Sequence, residues 1–337
     1  MLSPTNKNQP KRSRHIVSTT LLGLWLVALG LIIVHRQSII DWWRLRGYTP
    51  PAAVVALADQ DTMNSYTRHL FYLNRPELLP TVTSFRAHCP ENENTIVLGC
   101  YHPDQDGIFI YAVTDPTLAG VQQVTAAHEV LHAVYARLSS SARATLDSEL
   151  NNYYKHGLTN PLVKAEVKLY QQTEPKSVMD EMSCTFGTEI ANLPPGLEAY
   201  YNQFFTNRSA IVGYEQQYQS AFTTRQTTVA ADDSQLSSMK AQINSLESQM
   251  KLSLAALNSQ LTNLTSLQNS NDIAAYNAGV PAYNSAVDSY NAQVQNVEDL
   301  VNQYNQLVAT RNQVAGQLTT LASALDTRVT PAPQPTQ

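Results

Sequence analysis

The longest uninterrupted apolar run is 16–34, IVSTTLLGLWLVALGLIIV, nineteen residues without a charge. As a helix rising ~1.5 Å per residue it nearly covers the ~30 Å hydrocarbon core of a bilayer. Lys7, Lys11, Arg12 and Arg14 precede it. Arg36, Arg44 and Arg46 follow, together with Asp41 and the pair Trp42–Trp43, whose rings suit a membrane interface. The run is longer than the apolar part of a cleavable leader, and Leu31-Ile32-Ile33-Val34-His35 stands where a small-x-small cleavage site would be. The pattern predicts a cytoplasmic tail over 1–15 and an uncleaved transmembrane signal anchor over 16–35. With four basic residues before it and three after, orientation rests on the short basic tail, and the bulk of the chain is expected outside the cytoplasmic membrane.

Residues 36–50 read as a juxtamembrane linker ending in Pro50–Pro51. The pattern over 51–207 is that of a compact domain, a little β followed mostly by α. A helix is expected over 66–73, stopping near Pro76. Strands are expected over 95–98 and 108–113, joined through Cys100 and the turn-rich stretch 102–107. Over 121–138 the 3.6-residue period puts Val124, His128, Leu131, Tyr135 and Leu138 near one helix face. Serines at 139–141 supply caps for a further helix ending at Gly157. Helices over 161–172, 176–191 and 196–206 follow, the last opened by Pro194–Pro195.

Beyond about residue 208 the period changes to seven. Tyr276, Tyr283, Tyr290, Val297, Tyr304, Arg311, Leu318 and Leu325 recur at that spacing. Val280, Val287, Val294, Val301, Val308, Ala315 and Ala322 follow the first seven at a distance of four. A second seam runs upstream through Leu236, Met239, Ile243, Leu246, Met250, Leu257, Leu264 and Leu267. The break between them lies near 269–272, and Gly279 and Pro281 predict a disturbed helix start there. Two heptad helices with one short break predict an antiparallel coiled-coil hairpin over 208–326, with Arg311 extending its charge out of the seam. A Pro-rich tail occupies 327–337.

Composition sharpens this division. The 337 residues are 43% hydrophobic but only 15% charged, with a net charge of −5, which argues against a basic nucleic-acid binder and against a highly charged disordered chain. Residues 51–207 carry 26 charges in 157 positions, near the ordinary density, whereas 234–325 carry eight in 92. Asn, Gln, Ser and Thr coat the C-terminal helices instead. Three cysteines are too few for a disulfide-dense mini-protein. Cys89 and Cys100 are spaced for a short-loop disulfide outside the cytoplasm, or for two buried thiols; Cys184 reads as a small buried residue.

One motif carries chemistry. His128-Glu129-Val130-Leu131-His132 is HExxH, lying mid-helix with no Pro or Gly to break the turn. Histidines at i and i+4 face the same way and can share one Zn²⁺, and the Glu between them can take a proton from a water on the metal. A catalytic zinc needs a third protein donor. No HExxHxxGxxH extension is present, so the donor is sought downstream among Asp180, Glu181 and Glu189. Glu181, expected near the middle of its helix, is preferred, with Glu189 next. Tyr153, Tyr154, His156, Tyr200 and Tyr201 are the available oxyanion donors, each read foremost as a packing residue.

The stretches VTAAHEVLHAVYARLS, DEMSCTFGTEIANLPPGLEAYY and IVLGCYHPDQDGIFIYAV together resemble gluzincin-type zinc metallopeptidases. More narrowly, they are similar to bacterial membrane-anchored proteins that pair such a domain with a Tyr-Asn-rich coiled coil. The resemblance spans most of 60–325. It implies a zincin-like α+β, mainly α domain with a short sheet, zinc bound by His128, His132 and Glu181, and Glu129 as general base. Thr185 stands where a Glu-x-x-x-Asp pattern after Glu181 would carry its Asp. The expected function is a membrane-anchored, zinc-dependent metallopeptidase cleaving a peptide or protein substrate, which could pair as a strand with 108–113. The coiled coil is expected to bind a protein partner or to self-associate. The alternative is a non-enzymatic cell-envelope scaffold, or a regulator of cell-wall hydrolases, with a structural metal.

Overall fold

The computed structural model describes residues 25, 27, 29–90, 96–103 and 107–328. The expected cytoplasmic tail, most of the expected anchor and the end of the Pro-rich tail lie outside the described residues. Among the described residues no helix is long and apolar enough to cross a membrane. The fold is mainly helical, with one small sheet and two long C-terminal helices. It divides into two compact units.

Among the described residues the first unit includes nine complete helices. They are α1 (Arg36–Leu45), α2 (Ala52–Gln60), α3 (Ser65–Leu73), α4 (Val82–His88), α5 (Val121–Ala136), α6 (Ser140–His156), α7 (Pro161–Thr173), α8 (Val178–Glu189) and α9 (Pro195–Tyr201). Local chemistry explains the boundaries. Asn64 caps α3 by accepting from Thr67 N, and Ser139 caps α6 by accepting from Ala142 N. Asn160 accepts from the amides of Leu162 and Val163, with Pro161 at the first helical position of α7. The α5 helix is central because small residues let neighbours approach it closely. Ala126, Ala127 and Ala133 are fully buried beside Val130 and Leu131, within one core that also takes in Phe71, Ile108, Ile110, Met182 and Phe186.

The sheet has the order β1-β3-β2, with β1 (Glu77–Leu79), β2 (Gly99–His102) and β3 (Gly107–Tyr111). β1 runs parallel to β3, and β2 runs antiparallel to it, with Gly99 opposite Ile110 and Cys100 opposite Phe109. Of the expected strand at 95–98, residue 95 lies outside the described residues and 96–98 are not strand. The β-branched run there has the propensity, but pairing with β3 selects the four residues that follow it, and β1 is an addition. Cys89 and Cys100 form a disulfide that ties the end of α4 to β2. Helix α9 also ends earlier than expected, because Phe205 leaves the helix to bridge Met63, and Phe204 O accepts from Asn64 N at 2.9 Å.

Two buried charges fasten distant segments. Residues 36–45, expected as linker, form α1, whose buried Asp41 takes two bonds of 2.8 Å from the Arg137 guanidinium just beyond α5. Arg208, 3% exposed, donates to the carbonyls of Gly187, Ile190 and Ala191 and to the Glu198 carboxylate, closing the C-terminal end of α8.

In the second unit, α10 (Arg208–Asn269, its part from Gly213 on) and α11 (Ile273–Leu325) form the hairpin, accompanied by the short segment 113–121. Arg225 meets Gln317, Asp233 meets Arg311, and Leu264 lies against Gly279, so the two helices run antiparallel in one register. Arg311 thus leaves the seam to join a cross-helix ion pair. Asn271, in the left-handed region at φ 58°, turns the chain, and Asp272 caps α11 by accepting from Ala275 N. Pro281 does not disturb the start as expected; it lies inside α11, two turns past the cap. Gly120, at φ +106°, is required where a Cβ would come within 2.6 Å of Tyr214 O.

Asp61 closes α2 with its carboxyl fully buried and both oxygens without a hydrogen-bond partner among the described residues. Burial pushes its pKa well above the ordinary range. As pH rises past ~4 the unfolded chain loses this proton while the folded chain keeps it, so stability falls with pH. Asp61→Asn is therefore expected to raise Tm at neutral pH, with the gain shrinking below about pH 4 in melts compared across pH.

Candidate metal centre

HExxH occupies the middle of α5, and the helical spacing brings its two imidazoles together with ring centroids 5.0 Å apart. The opposing wall is the first turn of α8. Glu181 reaches both rings, with Oε2 3.5 Å from His128 Nε2 and Oε1 3.7 Å from His132 Nε2. Asp180 takes the other side of His132, Oδ1 lying 2.9 Å from Nδ1. Glu181 is thus in the first helical turn rather than at the helix centre as expected. Two carboxylates there complement the positive end of the helix dipole. Glu189 lies eight residues further on, ~12 Å along the helix, too far to share the same centre.

Cys184 follows Asp180 by one turn, and its Sγ is 3.9 Å from the Asp180 oxygen that holds His132. The donors of His128, His132 and Cys184 all lie within 4.8 Å of one another, a group that could hold a metal ion. Two donor sets therefore share the two histidines. Glu181 stands on the Nε2 side of both rings. Cys184 is fully buried beside the outer partner of His132, and burial raises its thiol far above the ordinary value. Glu181 meets the two rings through different oxygens, Oε2 toward His128 and Oε1 toward His132.

No family model, curated protein or solved structure matches this chain.

Burial and charge set the protonation of the group. Burial pushes the Glu129 carboxyl up, against the pull of His132 and His128 and with the push of Glu181 and Asp180. For Glu181 burial acts upward too, but the His128 bond, the His132 charge and a Tyr170 bond outweigh it and leave the carboxyl below its ordinary value. For His132 burial favours the neutral ring, yet Cys184, Asp180 and Glu181 together hold it well above the usual imidazole range. Ionisable groups packed this closely stabilise charge on one another and are suited to a cation.

The helix expected over 161–172 is α7, but sequence reasoning missed its part in the site. The Tyr170 hydroxyl donates to Glu166 Oε1 at 3.4 Å and lies close enough to Glu181 to favour its charged form, while Glu166 interacts electrostatically with His128 and Glu181. The available signal was the spacing of Glu166 and Tyr170 around the buried Val163 and Val167, which puts both on the inward side of α7. The tyrosines considered from sequence have other work. Tyr201 donates to Ser183 O at 2.7 Å, Tyr153 to Asn192 O at 3.3 Å, Tyr200 stacks on Tyr201 and Phe204, and Tyr154 packs on the core. His156 is exposed at the end of α6. The strand expected to receive a substrate is also corrected. β3 is central and already paired on both sides, whereas β2 is a sheet edge.

That edge runs directly over Glu129. A Cβ on Gly99 would lie 2.6 Å from both Glu129 Oε1 and Thr125 Cγ2. Glycine is required there so that β2 can approach α5 without displacing the buried carboxylate. Gly99→Ala is expected to lower unfolding stability by ~1–3 kcal/mol. Denaturant melts of the two proteins check this.

Proposed function

We propose that this chain is a membrane-anchored, zinc-dependent metallopeptidase of the gluzincin type, cleaving peptide bonds outside the cytoplasmic membrane. The observation that carries the reading is the convergence of His128, His132 and Glu181. Donors ~2.0–2.1 Å from a tetrahedral zinc stand about 3.4 Å apart. The Glu181 carboxylate comes near that spacing, with Oε2 3.5 Å from one ring and Oε1 3.7 Å from the other. Asp180 on His132 Nδ1 matches the carboxylate partner that commonly orients a zinc-binding imidazole.

When bound, zinc supplies a Lewis acid that acidifies a water and polarises a carbonyl. Glu129, adjacent in sequence to His128 and buried under β2, takes the proton from the attacking water and delivers it to the departing amine. Its raised pKa suits both halves of that transfer. Tyr170 steadies the Glu181 carboxylate. The outer edge of β2 offers backbone groups to an extended peptide beside Glu129.

A second reading, a cell-envelope scaffold with a structural metal, is favoured by the long polar hairpin, which fits a spacer or a partner-binding arm. Metal analysis and peptide-library cleavage by the full chain separate the two. The peptidase holds one zinc, lost in His128→Ala and Glu181→Ala and retained in Cys184→Ser. Asp180→Asn weakens zinc binding ~10–100-fold. Glu129→Gln keeps the metal and loses cleavage by ~10²-fold or more. A wild-type chain that carries zinc and cleaves nothing supports the scaffold, and one that binds no zinc at neutral pH overturns the peptidase reading.

A further inference from the structure

Helix α1 is built inside out for a helix on a water-facing surface. At ~100° per residue, Ile39, Ile40, Trp42 and Trp43 fall on one side and Asp41 and Leu45 on the other. A surface helix normally turns its apolar stripe to the core. Here the side against the protein carries the buried Asp41, bonded to Arg137 and Gln37, and Leu45, which packs on the core. The side facing away exposes Trp42 by 60%, Trp43 by 66%, Ile39 by 44% and Ile40 by 36%.

Two further observations identify what covers this face. The preceding residues 31–34 are apolar and exposed all round, and the His35 and Ile39 amides bond back to Leu31 O and His35 O, so this apolar helix runs on into α1. Arg36 and Arg46 lie exposed at the two ends of the helix, and the Arg46 guanidinium sits 5.4 Å over the Trp42 ring. Exposed tryptophans and isoleucines bordered by arginines match the chemistry of a bilayer interface, with rings at headgroup depth and guanidinium groups on lipid phosphates. The Asp41–Arg137 pair would carry that attachment into the core, because Arg137 lies five residues, ~7.5 Å of helix, beyond His132.

We propose that α1 is seated at the membrane surface with Ile39, Ile40, Trp42 and Trp43 in contact with lipid, and that the Asp41–Arg137 pair fixes the HExxH helix relative to that surface. The lipid contact does not depend on the peptidase reading. The test uses the full chain with Trp25→Phe, so that Trp42 and Trp43 alone report, in phosphatidylcholine vesicles with and without phosphatidylglycerol. For rings ~5–10 Å below the headgroup boundary, lipid brominated near the carbonyl end of its chains should quench about half of the emission or more. Aqueous acrylamide should quench little. Full quenching by acrylamide with no effect of brominated lipid overturns the proposal. So does protection from both quenchers that grows with protein density in the vesicles, since a second copy would then cover the face.

Discussion

Everything in the first unit is arranged around the cost of burying charge. His128, Glu129, His132, Asp180 and Glu181 come from two helices and are mostly withdrawn from water. Isolated, each would surrender its charge or destabilise the fold by several kcal/mol. Held together they compensate one another, and the requirement for close contact explains the surrounding packing. Alanines at 126, 127 and 133 let α5 sit deep in the core, Gly99 leaves room above Glu129, and Arg208 closes the far end of α8. Displacing any one wall would expose or orphan an ionisable group.

The parts legible in the sequence are those set by neighbours a few residues apart. The pairing of His128 with His132 follows from one helical turn. The caps at Ser139 and Asn160 likewise need only the amides two or three positions on. The seven-residue period carries the hairpin because each seam position repeats the same local choice. Glu181 was reachable as one of three downstream acids, though its place in the first turn of α8 was not.

What stayed hidden depends on long-range partners. Asp41 and Arg137 are 96 positions apart, and nothing near 36–50 announces that a helix there must turn a carboxylate inward. The run at 95–98 has stronger β propensity than Gly99-Cys100-Tyr101-His102, yet the ladder with β3 chose the latter, with the disulfide to Cys89 anchoring the same strand. Glu166 and Tyr170 look like ordinary polar residues of an amphipathic helix until α7 is laid beside α8. Pro281 shows the reverse case, where a residue that usually interrupts a helix is accommodated inside one that is long and otherwise continuous.

The sparse charge of α10 and α11 has a consequence for how this rod meets other molecules. With thirteen ionic side chains in the 118 residues of 208–325 and few ion pairs between its helices, it projects little electric field into solution. Encounters along it gain little long-range steering, and added salt has little to screen. Whatever docks there must be selected by shape and by the amides and hydroxyls of Asn, Gln, Ser and Thr. Such a contact would keep its strength across wide changes of ionic strength.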